Sequence, residues 1–276
     1  MTAHIRNAGD SLGFNWECVA AVNNESVLQE NLLASPDLKN KPLRLRTFRE
    51  MPSASLAYNA GLDATKAEIV VFAHQDVYMP AGWDKLLRSV IEQLTTSDPT
   101  WAVAGLTGVT PNGDKRGRCW SSGLGIEFGV PFDEPIHAVS IDELLIVLRR
   151  SSNLRFDDDL PGFHLYGTDI VQQALSQGLG AYIIHAPVIH NSVPVLSLAG
   201  GYTTAYRYMQ RKWRKRLPIT TLITPITRTG IQLWRRKMQM NRLWSRFARR
   251  QHHRVKSVQR PDPVDIAQRL GYETSA

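Results

Sequence analysis

The chain has 276 residues, 43% of them apolar, and a formal net charge of +8. This length can bury a full hydrophobic core, so we expect a single domain with an appendage. No stretch approaches the roughly 18 apolar residues that cross a bilayer, and Met1–Gly13 lacks the features of a secretory signal. A cytoplasmic location is therefore expected. Cys18 and Cys119 are too few for a disulfide framework and lack metal-binding spacing, so both are expected to be reduced thiols.

The positive charge is concentrated in one region of the chain. Of the 33 Lys and Arg residues, 17 lie between Tyr206 and Arg260, where no Asp or Glu occurs. We therefore predict an acidic, enzyme-like domain over residues 1–200, a basic helical extension over 201–260 and a polar, partly disordered tail over 261–276. A cationic segment needs an anionic partner, and membrane lipid, nucleic acid and a phosphorylated acceptor all remain open.

Predicted strands alternate with predicted helices along the acidic domain. The predicted strands are Trp16–Asn23, Leu43–Phe48, Ile69–Ala73, Trp101–Leu106, Asp142–Arg149 and Ala181–Ile184. The predicted helices are Glu25–Ala34, Ser53–Ala64, Trp83–Leu94 and Thr168–Gln177. This alternation predicts an α/β fold with a mostly parallel central sheet, helices on both faces and ligands at the C-terminal ends of the strands. Gly108–Gly129 contains six glycines and is predicted to be a long loop beside the site.

The sharpest chemical feature is the sequence His74-Gln75-Asp76, directly after the apolar stretch Ile69–Ala73. A carboxylate at this point lies at the ligand-binding edge of the sheet. Asp76 could hold a divalent ion against a diphosphate, since Mg²⁺ and Mn²⁺ favour one or two carboxylates plus phosphate oxygens. The alternative is that Asp76 only ends the strand or caps a turn.

The stretch Ser53–Trp83, SASLAYNAGLDATKAEIVVFAHQDVYMPAGW, resembles the core of family 2-type glycosyltransferases, which adopt the GT-A fold. In that family a helix with an Asn-Ala-Gly element leads into a strand that ends in an Asp-X-Asp motif. The HQDV version, with the later FDDDLPGFHLYGTD, is similar to a branch named after a streptomycin-biosynthesis protein. The resemblance implies an inverting, metal-dependent transferase. Such an enzyme moves a sugar from a nucleoside-diphosphate sugar to a hydroxyl group, here on a lipid-linked or cell-surface glycan.

The resemblance also implies a donor site. Asp76 matches the last Asp of the motif and is expected to meet metal and diphosphate. His74 stands where the first Asp would be, which weakens the expected ribose contact, although His can donate a hydrogen bond or bind Mn²⁺. The second strand carries Arg46–Arg49 instead of paired aspartates, and these arginines either approach a phosphate or are solvated. The implied donor-binding residues are Asn23, Glu25, Asn59, His74 and Asp76.

Asp169 is the residue that the resemblance assigns as catalytic base. Inverting sugar transfer needs one carboxylate to take the proton from the acceptor hydroxyl. The departing nucleoside diphosphate needs its charge neutralised by a metal or by cationic groups. The alternative is a first-turn Asp that stabilises the helix dipole. Nearby, Asp157–Asp159 are expected to be mostly solvated loop charges, with calcium binding as the alternative.

Three further residues are candidates for the site. His190 fits the position of the family's metal-binding His better than His185 does, and a structural His is the alternative. Trp120 could stack on a sugar ring or serve as a packing anchor. His164 is a candidate for contact with the acceptor. The metal site is therefore predicted to contain Asp76 and His190, with Mn²⁺ or Mg²⁺ as the cofactor.

The basic segment over residues 206–250 sets Trp and aliphatic side chains among Lys and Arg. This composition is typical of a helix at an anionic membrane surface. The alternative is a solvated helix that packs its apolar stripe on the domain. Two other functions remain open: a non-catalytic nucleotide-sugar or glycan-binding protein of the same fold, and a nucleic-acid-binding protein. The acidic domain and the lack of a nucleic-acid motif count against the latter.

Overall fold

The computed structural model describes residues 14–193, 198, 201–240 and 260–274. Its strands are, in chain order, β1 (Trp16–Val22), β2 (Leu45–Arg49), β3 (Ile69–Ala73), β4 (Val77–Tyr78), β5 (Trp101–Gly105), β6 (Thr107–Val109), β7 (Lys115–Ser121), β8 (Ile126–Gly129), β9 (Ile136–His137), β10 (Ser140–Ile141), β11 (Leu145–Arg149), β12 (Gly180–Ile183) and β13 (Ile189–His190). Its α-helices are α1 (Glu25–Glu30), α2 (Pro36–Lys39), α3 (Ala54–Ala64), α4 (Trp83–Ser97), α5 (Tyr166–Ser176), α6 (Tyr202–Lys212), α7 (231–240) and α8 (Pro263–Arg269).

The central sheet has the strand order β2-β1-β3-β11-β5-β12-β9. β1 is parallel to both β2 and β3, and β12 is parallel to β5. β11 lies antiparallel between β3 and β5, and β9 is antiparallel to β12. The C-terminal ends of β1, β2 and β3 therefore meet at one edge of the sheet.

The two faces of this sheet bury two separate clusters of apolar side chains. Successive side chains of a strand point to opposite faces, so Phe72 packs with Tyr58 and Tyr166 while Val71 belongs to the cluster of Trp83. Every residue of β3 is buried, which explains its continuous apolar sequence. The predicted α/β fold, with a mostly parallel sheet and helices on both faces, is confirmed.

Helix α3 packs closely on β1 for reasons that are visible in its sequence. The Ser53 side chain accepts a hydrogen bond from the N–H of Leu56 and caps the helix. Gly61 lies directly over Val19, where a Cβ atom would come within 2.3 Å of the valine Cγ1. A larger residue at this position would push α3 away from the sheet, so the Asn-Ala-Gly element fixes the distance between helix and strand.

Residues 108–129, predicted to be a loop, instead contribute β6, β7 and β8 to a second sheet. Its order is β10-β6-β7-β13-β4, and β8 pairs with β7. A Cβ atom at Gly129 would lie 1.7 Å from the carbonyl oxygen of Gly117, and both glycines have positive φ. The loop prediction is wrong because these glycines permit close contact between strands instead of interrupting them.

The described part of the basic extension packs on the domain. Tyr206 and Met209 of α6 are fully buried in the same cluster as Tyr166. For α6 this is the predicted alternative, an apolar stripe covered by the domain. At the predicted boundary between residues 200 and 201 the structure describes Gly201, and residues 241–259 of the basic extension lie outside the described ranges. None of the described helices is both long and apolar enough to cross a bilayer.

Within the predicted tail over residues 261–276, Pro263–Arg269 forms helix α8. Asp262 caps α8 by accepting a hydrogen bond from the N–H of Val264. Ile266 of α8 is buried against Tyr78 and Ile189. A short polar segment with few apolar residues can thus still bury those few against a neighbouring sheet.

Both cysteines are buried free thiols, as predicted. Burial raises the pKa of Cys18, and it raises the pKa of Cys119 to about 12. A thiol with so high a pKa stays protonated at neutral pH, so neither side chain is a reactive nucleophile.

Candidate functional site

A cavity of about 300 Å³ opens where β1, β2 and β3 end. It lies at the edge of the sheet predicted for ligand binding, and the loop before α5 forms its other wall. The lining residues are Ala21, Val22, Asn23, Phe48, Glu50, Met51, Tyr58, His74, Gln75, Asp76, Phe163 and Tyr166.

Three potential metal ligands form a cluster here, of which His74 and Asp76 line the cavity and His190 does not. The ligand atoms of His74, Asp76 and His190 all lie within 4.8 Å of one another. Nε2 of His190 is 3.4 Å from Oδ1 of Asp76, and the two histidine rings are 5.8 Å apart. β13 pairs antiparallel with β4 and sets His190 opposite Val77, next to Asp76. This pairing brings together residues that are far apart in the sequence.

The neighbours of Asp76 keep its carboxylate ionised. Burial alone would raise the pKa of Asp76, but the hydrogen bond and charge of His190, together with His74 and Arg260, lower it to about 2. Burial lowers the pKa of His74, which keeps that ring neutral with a free lone pair. Burial also acts to lower the pKa of His190, but Asp76 outweighs it and raises that pKa. Asp76 is thus anionic at neutral pH and holds His190 beside it.

Tyr166 orients His74. Its hydroxyl lies 2.7 Å from Nε2 of His74 and donates a hydrogen bond to the carbonyl of Glu143 at 3.2 Å. A hydroxyl that donates to Glu143 accepts from Nε2 of His74, and in that arrangement the lone pair of the ring is on Nδ1. Hydrogen-bond partners of this kind hold metal-binding histidines in one orientation. Sequence reasoning missed Tyr166, because its role depends on how α5 packs against β3.

Two imidazoles and one carboxylate are a donor set that binds divalent transition metals and leaves further coordination positions open. The fit is supported by the low pKa of Asp76 and by the orientation of His74. The residues present therefore suit a metal ion.

Gln75 ties the end of β1 to this segment. Its Oε1 accepts hydrogen bonds from the N–H groups of Asn23 and Asn24, each at 3.0 Å. Its Nε2 donates to Oδ1 of Asn23 at 2.5 Å. The predicted residue Asn23 does line the cavity, and Gln75, which the sequence analysis passed over, holds it there.

Glu25 and Asn59, also predicted to bind the donor, do not line the cavity. Glu25 forms a surface ion pair with Arg49 at 3.0 Å. Asn59 donates to the carbonyl of Phe156 at 2.8 Å and to Asp158 at 2.7 Å, and it accepts from the N–H of Phe156 at 3.0 Å. With its amide fully bonded, Asn59 fixes the loop before α5 and so supports the cavity wall from behind.

Asp169, predicted to be the base, is 1% exposed and also lies outside the cavity lining. Oδ1 accepts from Nε1 of Trp213 at 2.7 Å, and Oδ2 accepts from Lys212 and Gln173, each at 2.8 Å. Burial raises the pKa of Asp169, while Lys212 and Trp213 act against that rise. The base role stays a prediction with a condition: Lys212 and Trp213 must release the carboxylate before it meets an acceptor.

The neighbouring Asp157–Asp159 are largely committed to internal contacts. Asp157 accepts hydrogen bonds from Tyr208 at 2.7 Å and from Lys212 at 2.5 Å. Asp158 accepts from Asn59 but is exposed, as Asp159 is, so two of the three carboxylates are solvated loop charges as expected. These contacts fasten the loop to α3 and α6.

The two predicted acceptor residues differ in position. Trp120 packs beneath α8, with the guanidinium of Arg269 4.9 Å from its ring centre, so the structure shows the packing alternative. His164 lies in the loop before α5 next to Phe163, and its ring is 5.4 Å from that of Tyr202. Phe163 is 45% exposed at the cavity wall. The sequence analysis did not single it out.

Arg260 approaches the cluster from the C-terminal segment. Its Nε donates to the carbonyl of Asn191 at 2.9 Å, and the N–H of Asn191 donates to the carbonyl of Asp76 at 2.8 Å. Its charge contributes to the low pKa of Asp76. From the sequence Arg260 was only the end of the basic region, whereas in the fold it lies beside the site.

Comparisons with known proteins give limited likenesses. No protein-family model matches the chain. The "ATP synthase subunits region ORF 6" protein of Fuscovulum blasticum is 33% identical over 135 residues, which are 47% of this chain and 53% of that protein. The chain thus spans about half the length of that curated relative.

Several solved glycosyltransferase structures show a weak similarity. The mannosyltransferase PcManGT from Pyrobaculum calidifontis, in complex with GDP-Man and Mn²⁺, is 15% identical with a TM-score of 0.41, over 63% of this chain and 56% of that one. S. aureus TarS 1-349 is 15% identical with a TM-score of 0.45, over 93% and 79%. Its complex with UDP is 13% identical with a TM-score of 0.42, over 71% and 63%. At these TM-scores the likeness carries no argument, and the α/β fold rests on the strand order itself.

Proposed function

We propose that this chain is a metal-dependent glycosyltransferase of the GT-A type that uses a nucleoside-diphosphate sugar. The cluster of His74, Asp76 and His190 at the end of β3 carries the proposal. The resemblance of Ser53–Trp83 to family 2-type transferases puts a donor-binding motif at this place. The cluster adds two imidazoles around the carboxylate of that motif. The HQDV branch of the family belongs to the same proposal.

Mn²⁺ suits this site better than Mg²⁺, because two of the three side chains offer nitrogen and Mg²⁺ prefers oxygen ligands. His74, Asp76 and His190 would hold the ion, which supplies positive charge to the diphosphate as it leaves. Arg260 adds a second positive charge beside Asp76. The departing nucleoside diphosphate would therefore meet two positive charges, the metal ion and Arg260.

The cavity wall offers groups for the nucleotide. Glu50 directly follows β2, where paired aspartates were expected and are missing, and it lines the cavity with a φ of 56°. We assign Glu50 and Asn23 to the hydroxyl groups of the ribose. The exposed face of Phe163 suits a planar base. Glu50 thus provides a carboxylate one residue after the end of β2, which itself contains none.

Asp169 is kept as the proposed base for transfer with inversion, acting once Lys212 and Trp213 have released it. The acceptor would be a hydroxyl of a lipid-linked or cell-surface glycan that approaches past His164. A position on the inner face of the cell membrane belongs to the same proposal.

The test is release of nucleoside diphosphate from a panel of UDP-, GDP- and dTDP-sugars with Mn²⁺. We expect Mn²⁺-dependent release from one donor, lost in Asp76→Asn and in His190→Ala. Asp114→Asn and His137→Ala change exposed residues outside the cavity, and both are expected to keep the activity. If calorimetry with Mn²⁺ finds no binding of any nucleoside diphosphate, the proposed donor site is wrong.

A non-catalytic nucleotide-sugar-binding protein is the second candidate, favoured by one observation. Asp169, the proposed base, has both oxygens bonded within the protein. Tight donor binding with neither hydrolysis nor transfer to a set of glycan acceptors would support this candidate over the enzyme.

A further inference from the structure

A second cavity, of about 400 Å³, lies on the surface of the basic extension between α6 and the segment that follows it. Its lining residues are Arg207, Gln210, Arg211, Arg214, Leu217 and Arg228. Four of these six are arginines. We call this group of four the arginine pocket.

The arginine pocket is held by buried contacts. Arg207 and Arg211 lie one turn apart on α6 and Arg214 is in the turn that follows it, while other side chains of α6 are in the core. Arg228 comes from the following loop, which Tyr206 fastens by accepting from the N–H of Thr227 at 2.9 Å and donating to the carbonyl of Pro225 at 2.8 Å. The four arginines thus line one cavity, and the loop that carries Arg228 is fastened to α6.

No carboxylate of the described residues forms an ion pair with any arginine of the pocket. Lys212 of the same helix, by contrast, pairs with both Asp157 and Asp169. Like charges gathered in one cavity repel one another, so an anion that binds there relieves the repulsion. Guanidinium groups bind phosphate oxygens in pairs, which makes a phosphate group the ligand that this chemistry fits.

Two exposed apolar side chains follow the pocket closely in the chain. α7 begins three residues after Arg228, and it buries Leu233 while Ile231 and Trp234 stay 50% and 63% exposed. Tryptophan and aliphatic side chains next to arginines are the composition of a surface that enters the headgroup region of a bilayer. A soluble phosphate compound would give these apolar side chains no contact.

We infer that the arginine pocket binds the phosphate of an anionic phospholipid headgroup, with Ile231 and Trp234 entering the bilayer beside it. The inference concerns a different surface from the donor cavity and does not depend on the transfer reaction. It would hold the chain on a membrane through a specific pocket as well as through general positive charge.

The test is sedimentation of the full chain with vesicles of phosphatidylcholine alone or mixed with phosphatidylglycerol. We expect salt-sensitive binding to the mixed vesicles only. The variant Arg207→Gln/Arg211→Gln/Arg228→Gln is expected to bind them on the order of tenfold or more weakly. A matched control, Lys41→Gln/Lys66→Gln/Arg116→Gln, removes the same charge from exposed positions elsewhere and is expected to bind within about twofold of the wild type.

Equal losses in the pocket variant and the matched control would overturn the pocket, because general charge would then explain the binding. Binding of soluble glycerol phosphate without any vesicle binding would overturn the lipid assignment, as would tight binding to RNA or DNA alone. Trp234→Ala is expected to weaken vesicle binding and to leave glycerol phosphate binding unchanged. Arg228→Gln alone, in a loop, provides a folded variant if the triple change unfolds the chain.

Discussion

The cavity edge and the α5–α6 interface each contain an aspartate with a predicted role in the reaction. The surroundings of these two aspartates differ. The Asp76 side chain is 17% exposed, faces the cavity and has histidines as neighbours. Asp169 is 1% exposed and accepts from a lysine, a tryptophan and a glutamine. A carboxylate at a strand end keeps lone pairs for a ligand, whereas one covered by a second helix gives them to the protein.

The largest expected effect is on metal binding. Asp76→Asn and His190→Ala are each expected to weaken Mn²⁺ binding at least about 100-fold, since even partners of ligands cost about 10–100-fold. Calorimetry measures it. Asp114→Asn should match the wild type. If Asp76→Asn and His190→Ala both bind Mn²⁺ like the wild type, Asp76 is not a metal ligand and does not differ from Asp169 in this respect.

Asp169→Asn is expected to lower the free energy of unfolding by about 1–3 kcal/mol, because it leaves Lys212 with a weakened buried partner. Urea denaturation measures this change. Asp159→Asn, in the nearby loop, is expected to change it by less than about 0.5 kcal/mol. Full stability of Asp169→Asn together with lost transfer would show a carboxylate that works as a base and contributes nothing to the interface.

Tyr166→Phe tests whether the hydroxyl of Tyr166 holds the His74 ring in place. Loss of the hydroxyl frees the His74 ring to turn, and Mn²⁺ affinity is expected to fall about tenfold. Tyr78→Phe is the control, because the buried hydroxyl of Tyr78 has no hydrogen-bond partner among the described residues. If both variants bind Mn²⁺ like the wild type, Tyr166 does not position His74.

The smallest effect concerns a third carboxyl group, Glu143, beside Tyr166. Burial, with the charge of Asp142, raises its pKa from 4.5 to about 8. Between these values the unfolded chain has lost this proton and the folded chain keeps it, so this group's contribution to stability falls as pH rises. In Glu143→Gln the free energy of unfolding, measured by urea denaturation, is expected to fall less steeply with pH across that range. The exposed Glu134→Gln is expected to retain it, and equal slopes would contradict the raised pKa.

Much of the fold follows from local sequence patterns. The apolar stretch of β3, the Ser53 cap of α3 and the amphipathic α5 are local signals, and each element appears within a few residues of its prediction. The strands around Gly117 and Gly129 were missed because a glycine that permits close contact has the same sequence signal as a glycine in a loop.

The sequence by itself determined that an acidic motif follows a buried strand. Residues 69–73 are all apolar, which predicts burial, and residues 74–76 are polar, which predicts an accessible strand end. Only the tertiary structure decided which distant groups meet there. His190 arrives through the pairing of β13 with β4, Tyr166 through the packing of α5, and Arg260 through the return of the C-terminal segment. It also decided that Asp169 is covered, because the partner helix α6 begins 33 residues later in the chain. Such long-range contacts depend on the packing of whole elements, which no local pattern encodes.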